Sequence, residues 1–234
     1  MKIHGLQKMT LLDYPGKVAC TVFFGGCNMR CPFCHNALLV TQVEDGGTIT
    51  DTDVLDFLKT RQGLLDGVGI TGGEPLLQPE IIPFAEKIKE LGYSVKIDTN
   101  GTRPQVLKEL VSKKLVDYVA VDIKNRKEKY AKTVDIENFD IKPVEETVEF
   151  LLSGAVDYEF RTTVVKNFHS VEDITAICEW IKGARRYFLQ NFVDSGNLIG
   201  KNMQGASPRR YEKNVRSGAK NYSKYLFTRH LGHI

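Results

Sequence analysis

Three of the chain's five cysteines fall within eight residues, in Gly25-Gly26-Cys27-Asn28-Met29-Arg30-Cys31-Pro32-Phe33-Cys34-His35-Asn36. Thiolates spaced C-x3-C-x2-C on one loop can converge on a single centre, and such soft ligands select zinc or an iron–sulfur cluster. A structural zinc site wants four closed ligands. Only His35 is nearby as a fourth, and its adjacency to Cys34 makes shared tetrahedral ligation awkward. Cys31-Pro32-Phe33-Cys34-His35 also fits the haem-attachment pattern, which belongs to exported proteins. The opening residues, Met1 to Lys8, carry no apolar core of signal-peptide length. Three cysteines on a four-iron cluster leave one iron open, and an open position is what catalysis requires. Cys20, in an apolar run, and Cys178, in a helical pattern, read as small buried hydrophobes.

A loop of this kind must be held by ordered elements, and the chain supplies them by alternation. Strand-like runs occupy 19–24, 67–71, 94–99, 118–122, 159–165 and 187–192, several of them almost continuously apolar. Such runs suit parallel strands covered on both faces. Amphipathic stretches lie between them at 51–61, 79–91, 104–115 and 171–182. Gly92 stands where a C-terminal cap belongs, and Ser170 with Asp173 opens the last of the four helices. Repeated strand–helix units imply parallel strands with right-handed crossovers. Six units are too few for a complete eight-stranded barrel, so the expected fold is α/β, a partial (β/α)6 TIM-like barrel with mostly parallel strands, with a doubly wound sheet as the alternative that periodicity leaves open.

Unusual residues collect where these strands end. The first runs into Gly25-Gly26-Cys27, the second into Gly72-Gly73-Glu74-Pro75, the third into Asp98-Thr99-Asn100-Gly101 and the fourth into Asp122-Ile123-Lys124. In parallel α/β folds the carboxyl ends of the strands build the active site. Read alone, Gly72-Gly73 is a plain turn, Asp98-Thr99-Asn100-Gly101 a loop entering a helix, and Lys124 a surface lysine. Their joint occurrence at four successive strand ends points to one mouth, suited to a small zwitterionic ligand.

Composition bounds the rest. The 234 residues, 42% hydrophobic and 26% charged, fit one soluble domain of ordinary make-up, with no apolar run long enough to span a membrane. The net charge of +3 hides an asymmetry: residues 201–234 carry +7 and the first two hundred −4. We therefore expect a barrel domain over 1–200 and a basic C-terminal extension over 201–234, packed on the same domain, with 207–222 as a basic helix. No aromatic-and-basic nucleic-acid motif accompanies that charge, so nucleic acid is not the expected partner. A cytoplasmic protein is the default. His4, His169, His230 and His233 show no ligand spacing and read as structural or exposed.

The C-x3-C-x2-C loop with an aromatic residue before its last cysteine, followed by Gly72-Gly73-Glu74-Pro75, resembles the radical S-adenosylmethionine (SAM) superfamily. Leu11-Leu12-Asp13-Tyr14-Pro15-Gly16-Lys17, together with Cys34-His35-Asn36, narrows the resemblance to the activating enzymes of glycyl radical enzymes. Within those it is most similar to the anaerobic ribonucleoside-triphosphate reductase activating proteins. The similarity covers roughly residues 5–200.

That resemblance implies a [4Fe–4S] cluster on Cys27, Cys31 and Cys34, with SAM on the open iron. It implies Phe33 and His35 along the adenine, and Gly72, Gly73 and Glu74 at the methionyl amino group. Asp98, Asp122 and Lys124 match methionine-binding positions, and Asp98, Thr99 and Asp122 could hold a monovalent cation. Where relatives carry a ribose-contacting histidine near the sixth strand, this chain has Gln190-Asn191-Phe192. The implied reaction is reductive cleavage of SAM, followed by hydrogen abstraction from a glycine of a partner enzyme. A flavodoxin-like donor is expected, because no cysteines remain for a second cluster. The rival readings are a pyruvate formate-lyase-type activase, a radical enzyme acting on a small molecule, and a non-catalytic metal or redox module.

Overall fold

The computed structural model describes Met1, residues 3–44, residues 49–206 and Tyr211. Seven strands form one sheet in chain order: β1 (Ile3–Thr10), β2 (Ala19–Phe24), β3 (Gly67–Gly72), β4 (Ser94–Thr99), β5 (Tyr118–Asp122), β6 (Asp157–Val164) and β7 (Tyr187–Asn191). β1 runs antiparallel to β2, and every later neighbour pairs in parallel. The six parallel strands are those expected from the apolar runs, to within two residues at each end. The sheet ends at β1 and β7 and does not close, which makes it a partial barrel.

The helices fall between the strands: α1 (Ala37–Thr41), α2 (Asp51–Lys59), α3 (Ile81–Glu90), α4 (Pro104–Ser112), α5 (Tyr130–Val134), α6 (Lys142–Leu152) and α7 (Val171–Trp180). Capping boxes start α2, from Thr50 and Asp53, and α7, from Ser170 and Asp173, satisfying amide groups that the first turn leaves unpaired. β1, α1, α5 and α6 are additions to the expected set. Among the described residues no helix is long and apolar enough to cross a membrane.

Register separates the two faces of the sheet. Val22, Ile70, Ile97, Val119 and Tyr158 pair across five strands and are buried beneath the helices. The opposite row passes through Thr21, Gly69, Lys96 and Tyr118, and further along the same face stand Asp98 on β4, Asp122 on β5 and Glu159 and Arg161 on β6. The lumen of the barrel is thus polar while its wall is apolar. Its base, at the N-terminal ends of the strands, is filled by Tyr14. That buried ring lies 6.1 Å from the ring of Tyr118 and tightly against Gly67, where an added Cβ would come within 2.9 Å of it.

After β7 the chain returns across the C-terminal end of the sheet. The Gly200 amide donates to the Pro32 carbonyl at 2.7 Å, and Gly205 forms a bridge with Val165. The Tyr211 hydroxyl donates to the His169 carbonyl at 3.0 Å. Residues 207–210 and 212–234, which hold most of the basic extension and the expected basic helix, lie outside the described residues.

Candidate active site

The cysteine loop leaves β2 at the carboxyl end of the sheet and is anchored on both sides. Gly26 donates to the Leu39 carbonyl at 2.7 Å, Arg30 donates to the Val134 carbonyl at 2.9 Å, and Cys34 donates back to Cys31 at 3.0 Å. The end of β3 is stitched to the same loop: the Gly73 amide donates to the Phe24 carbonyl and the Glu74 amide to the Gly26 carbonyl, each at 2.8 Å. Two backbones approach so closely here that side chains are excluded. A Cβ on Gly73 would lie 2.0 Å from the Gly26 oxygen, and one on Gly72, whose φ is +121°, 2.2 Å from the Phe24 oxygen. The double glycine is therefore a seam between β3 and the cysteine loop.

Glu74 completes that seam from inside. It is fully buried, and its carboxylate accepts from the Leu76 amide at 3.0 Å, the Thr99 hydroxyl at 2.8 Å and the Asn100 amide at 2.6 Å. Burial pushes its carboxyl up to about 7, against the pull of those donors. Glu74 thus braces β3 to β4.

Phe33 packs beneath the loop. Its ring is buried edge-on against Phe168 and His169, at centroid distances of 5.3 and 6.1 Å. His35 is exposed, stacked at 5.3 Å on Phe192, with Nε2 3.0 Å from the Val193 carbonyl. It therefore stands at the end of β7, beside the Gln190-Asn191-Phe192 segment.

The other carboxylates lie in a charge network across the lumen. Arg161 on β6 sits between Asp98 and Asp122, with Nη1 3.2 Å from the first and Nε 3.0 Å from the second. Lys96 pairs with Asp98, and the Lys124 ammonium lies 3.1 Å from Asp122. Burial opposes ionisation of Asp122, but Arg161 and Lys124 hold its carboxyl well below the ordinary range. Thr99 turns instead to Glu74. Asp98 and Asp122, expected beside a monovalent cation, share the Arg161 guanidinium. Asn28, Asn100 and Arg161 also stand at the site without having been singled out from sequence, while His169, read as structural or exposed, is buried beside Phe33. The alternation of Glu159, Arg161 and Thr163 along β6 was the available signal for Arg161.

Three thiols on one loop, with no fourth ligand beside them among the described residues, suit a cluster that keeps one iron open. Cys20 and Cys178 are buried in β2 and α7, and the His35 imidazole faces the Val193 carbonyl. Among the described residues no three His, Cys, Asp or Glu side chains converge on a single metal ion. A polynuclear centre, in which each thiolate takes its own iron, does not require them to. Burial raises all three thiols, Cys31 to about 12, while Lys124 pulls each of them down. An iron centre would supply the positive charge that such buried thiolates need.

Known proteins bear on this geometry directly. A glycyl-radical enzyme activating enzyme of Methanocaldococcus jannaschii is 37% identical over 199 residues, which cover 81% of this chain and 79% of that protein. A pyruvate formate-lyase-activating enzyme of Clostridium pasteurianum is 36% identical over 129 residues, 53% of this chain and 52% of its own length. The structure of Streptococcus suis SuiB bound to S-adenosylmethionine superposes with a TM-score of 0.68 at 17% identity, over 89% of this chain and 51% of that one, and shows a shared fold. Residues 21–181, from within β2 to the end of α7, match the Radical SAM superfamily. The family's [4Fe–4S] and SAM chemistry accounts for a loop of three cysteines at the mouth of an open barrel: the chain is a radical SAM enzyme, of the family that activates glycyl radical enzymes.

Proposed function

We propose that this chain generates a glycyl radical on the anaerobic ribonucleoside-triphosphate reductase, receiving electrons from a flavodoxin-like donor in the cytoplasm. The observation that carries the activase reading is the three-cysteine loop stitched to the Gly72–Gly73 seam. The choice of reductase rests on the segment Leu11 to Lys17 and on Cys34-His35-Asn36. When bound, the reduced cluster supplies one electron that splits SAM into methionine and a 5′-deoxyadenosyl radical, which takes hydrogen from a glycine α-carbon. Cys27, Cys31 and Cys34 hold the cluster.

The remaining roles belong to side chains and carbonyls at the mouth. Backbone carbonyls at Gly72 and Gly73 accept from the methionyl ammonium, and Lys124 meets its carboxylate. Arg161 fixes Asp98 and Asp122, so that Lys124 keeps its place in the mouth. His35 lies against the adenine. Phe33, Phe168 and His169 exclude water from beneath the loop, where a stray proton or electron acceptor would quench a radical. The basic extension is the docking element for the acidic donor or for the reductase.

Anaerobic reconstitution with iron and sulfide, reduction with dithionite and addition of SAM should yield 5′-deoxyadenosine, and Cys31→Ala should abolish it. With reductase present, an organic radical signal should appear on that partner. A radical on pyruvate formate-lyase alone would favour the second activase reading, which rests on the relative from C. pasteurianum. A reconstituted cluster with no product and no radical would leave a redox module.

A further inference from the structure

Behind Cys27 lies a closed ring of polar side chains. Asn100, at the end of β4, is buried, and its side-chain amide nitrogen lies 2.9 Å from the Asn28 Oδ1 and 3.7 Å from the Cys27 sulfur. Asn28 in turn donates to the Thr102 hydroxyl at 2.9 Å, and that hydroxyl donates to the Asn100 Oδ1 at 2.6 Å.

The orientation of the Asn100 amide is fixed by its partners. The Thr102 backbone N–H, which can only donate, meets Oδ1 at 3.0 Å. The NH2 group must therefore face Asn28 and Cys27, one hydrogen to each. The main chain beneath is pinned as well, since the Asn100 N–H donates to Glu74 at 2.6 Å. A second donor, the Met29 backbone N–H, reaches the same sulfur at 3.4 Å.

We propose that Asn100 is a positioning residue for the iron–sulfur centre, acting through Cys27: its side-chain amide donates to the ligand sulfur and raises the reduction potential of the cluster. The proposal rests on Cys27 being a cluster ligand. Reduction adds negative charge that is shared by the ligand sulfurs, and an N–H dipole aimed at sulfur stabilises the reduced form more than the oxidised one. Groups that hydrogen-bond a metal ligand tune the centre without touching the metal. Such a donor matters here because the electron must pass from a protein donor of limited reducing power.

The test is a redox titration of the reconstituted protein, followed by electron paramagnetic resonance without SAM or partner. Asn100→Ala removes the donor without adding charge, and should shift the midpoint negative by at least a tenfold change in the reduction equilibrium, about 59 mV for one electron. Asn100→Asp keeps the side chain's shape and its Thr102 contacts, and should shift the potential further the same way. It also serves if the alanine variant loads poorly. Thr102→Val loosens the ring but leaves the amide facing sulfur, and should move the potential little. An unchanged midpoint in either loaded Asn100 variant overturns the proposal, as does an equal shift in Thr102→Val, which would indicate general loosening of the loop. A wild-type chain that takes up no cluster overturns both this proposal and the cluster reading beneath it. A normal cluster that fails to cleave SAM counts against the proposed function alone.

Discussion

The Glu74 carboxylate accepts the backbone N–H of Asn100 at 2.6 Å, a bond between the turns that follow β3 and β4. Through its own amide Glu74 also holds Gly26, so one residue joins two strand ends to the cysteine loop. Removing it leaves the Asn100 amide and the Thr99 hydroxyl without their acceptor in a dry site. Glu74→Ala should cost about 3 kcal/mol in urea unfolding of the cluster-free protein. Iron uptake should fall with it, whereas a loss below about 1 kcal/mol would show that water replaces the carboxylate.

Gly69 within β3 and Gly73 just past its end make a matched pair. Gly73→Ala drives a Cβ to 2.0 Å from a backbone oxygen, and the cysteine loop must move. Gly69→Ala meets nothing nearer than 3.4 Å. The first should destabilise by about 3 kcal/mol and the second by less than about 1 kcal/mol, read from denaturation midpoints. Cluster content per chain should separate them further.

Arg161 neutralises two carboxylates that would otherwise crowd the lumen. Arg161→Met leaves Asp98 with Lys96 and Asp122 with Lys124, so the loss should sit near the low end for a broken buried pair, about 3 kcal/mol. Arg161→Lys keeps the charge but not the fork that reaches both acids, and should recover only part of it. Recovery of full stability by lysine would show that charge alone matters at this position.

Stability should depend on pH through two buried groups of opposite sign. The Glu74 carboxyl, raised from 4.5 to about 7 chiefly by burial, holds its proton more firmly when folded, so its contribution is full below 4.5 and lost as pH climbs toward 7. Burial lowers His169 below 6.5, so its contribution is full above 6.5 and lost as pH falls beneath that value. In urea titrations of the cluster-free protein between pH 5 and 8, Glu74→Gln should gain stability with rising pH more steeply than wild type. His169→Gln should lose it more steeply. Parallel curves for all three proteins would remove both groups from the account.

What could be read beforehand follows from how local each signal was. The six parallel strands announce themselves because strands buried on both faces are apolar along their length, as in Tyr118-Val119-Ala120-Val121. β1 does not, since only Ile3 and Thr10 at its two ends are buried and its edge position leaves the residues between them mixed. α6 carried a readable stripe in Val144, Thr147, Val148 and Leu151, but its polar residues and opening Lys142-Pro143 masked it. The cysteines were legible because eight consecutive residues hold all three. Arg161 was not, because it acquires its role only by meeting Asp98, 63 residues away in the chain. Glu74 and Phe33 stand out in the sequence by their motifs, but their burial and bracing contacts are visible only in the fold.

Tyr14 gives the barrel a floor. Its ring, seated against Gly67 and Tyr118, stops that end of the lumen, and the cysteines stand at the other. A partner segment inserted at that end would stand across the path of spent nucleoside and methionine. Turnover would then be counted in visits of the partner, one radical delivered per visit.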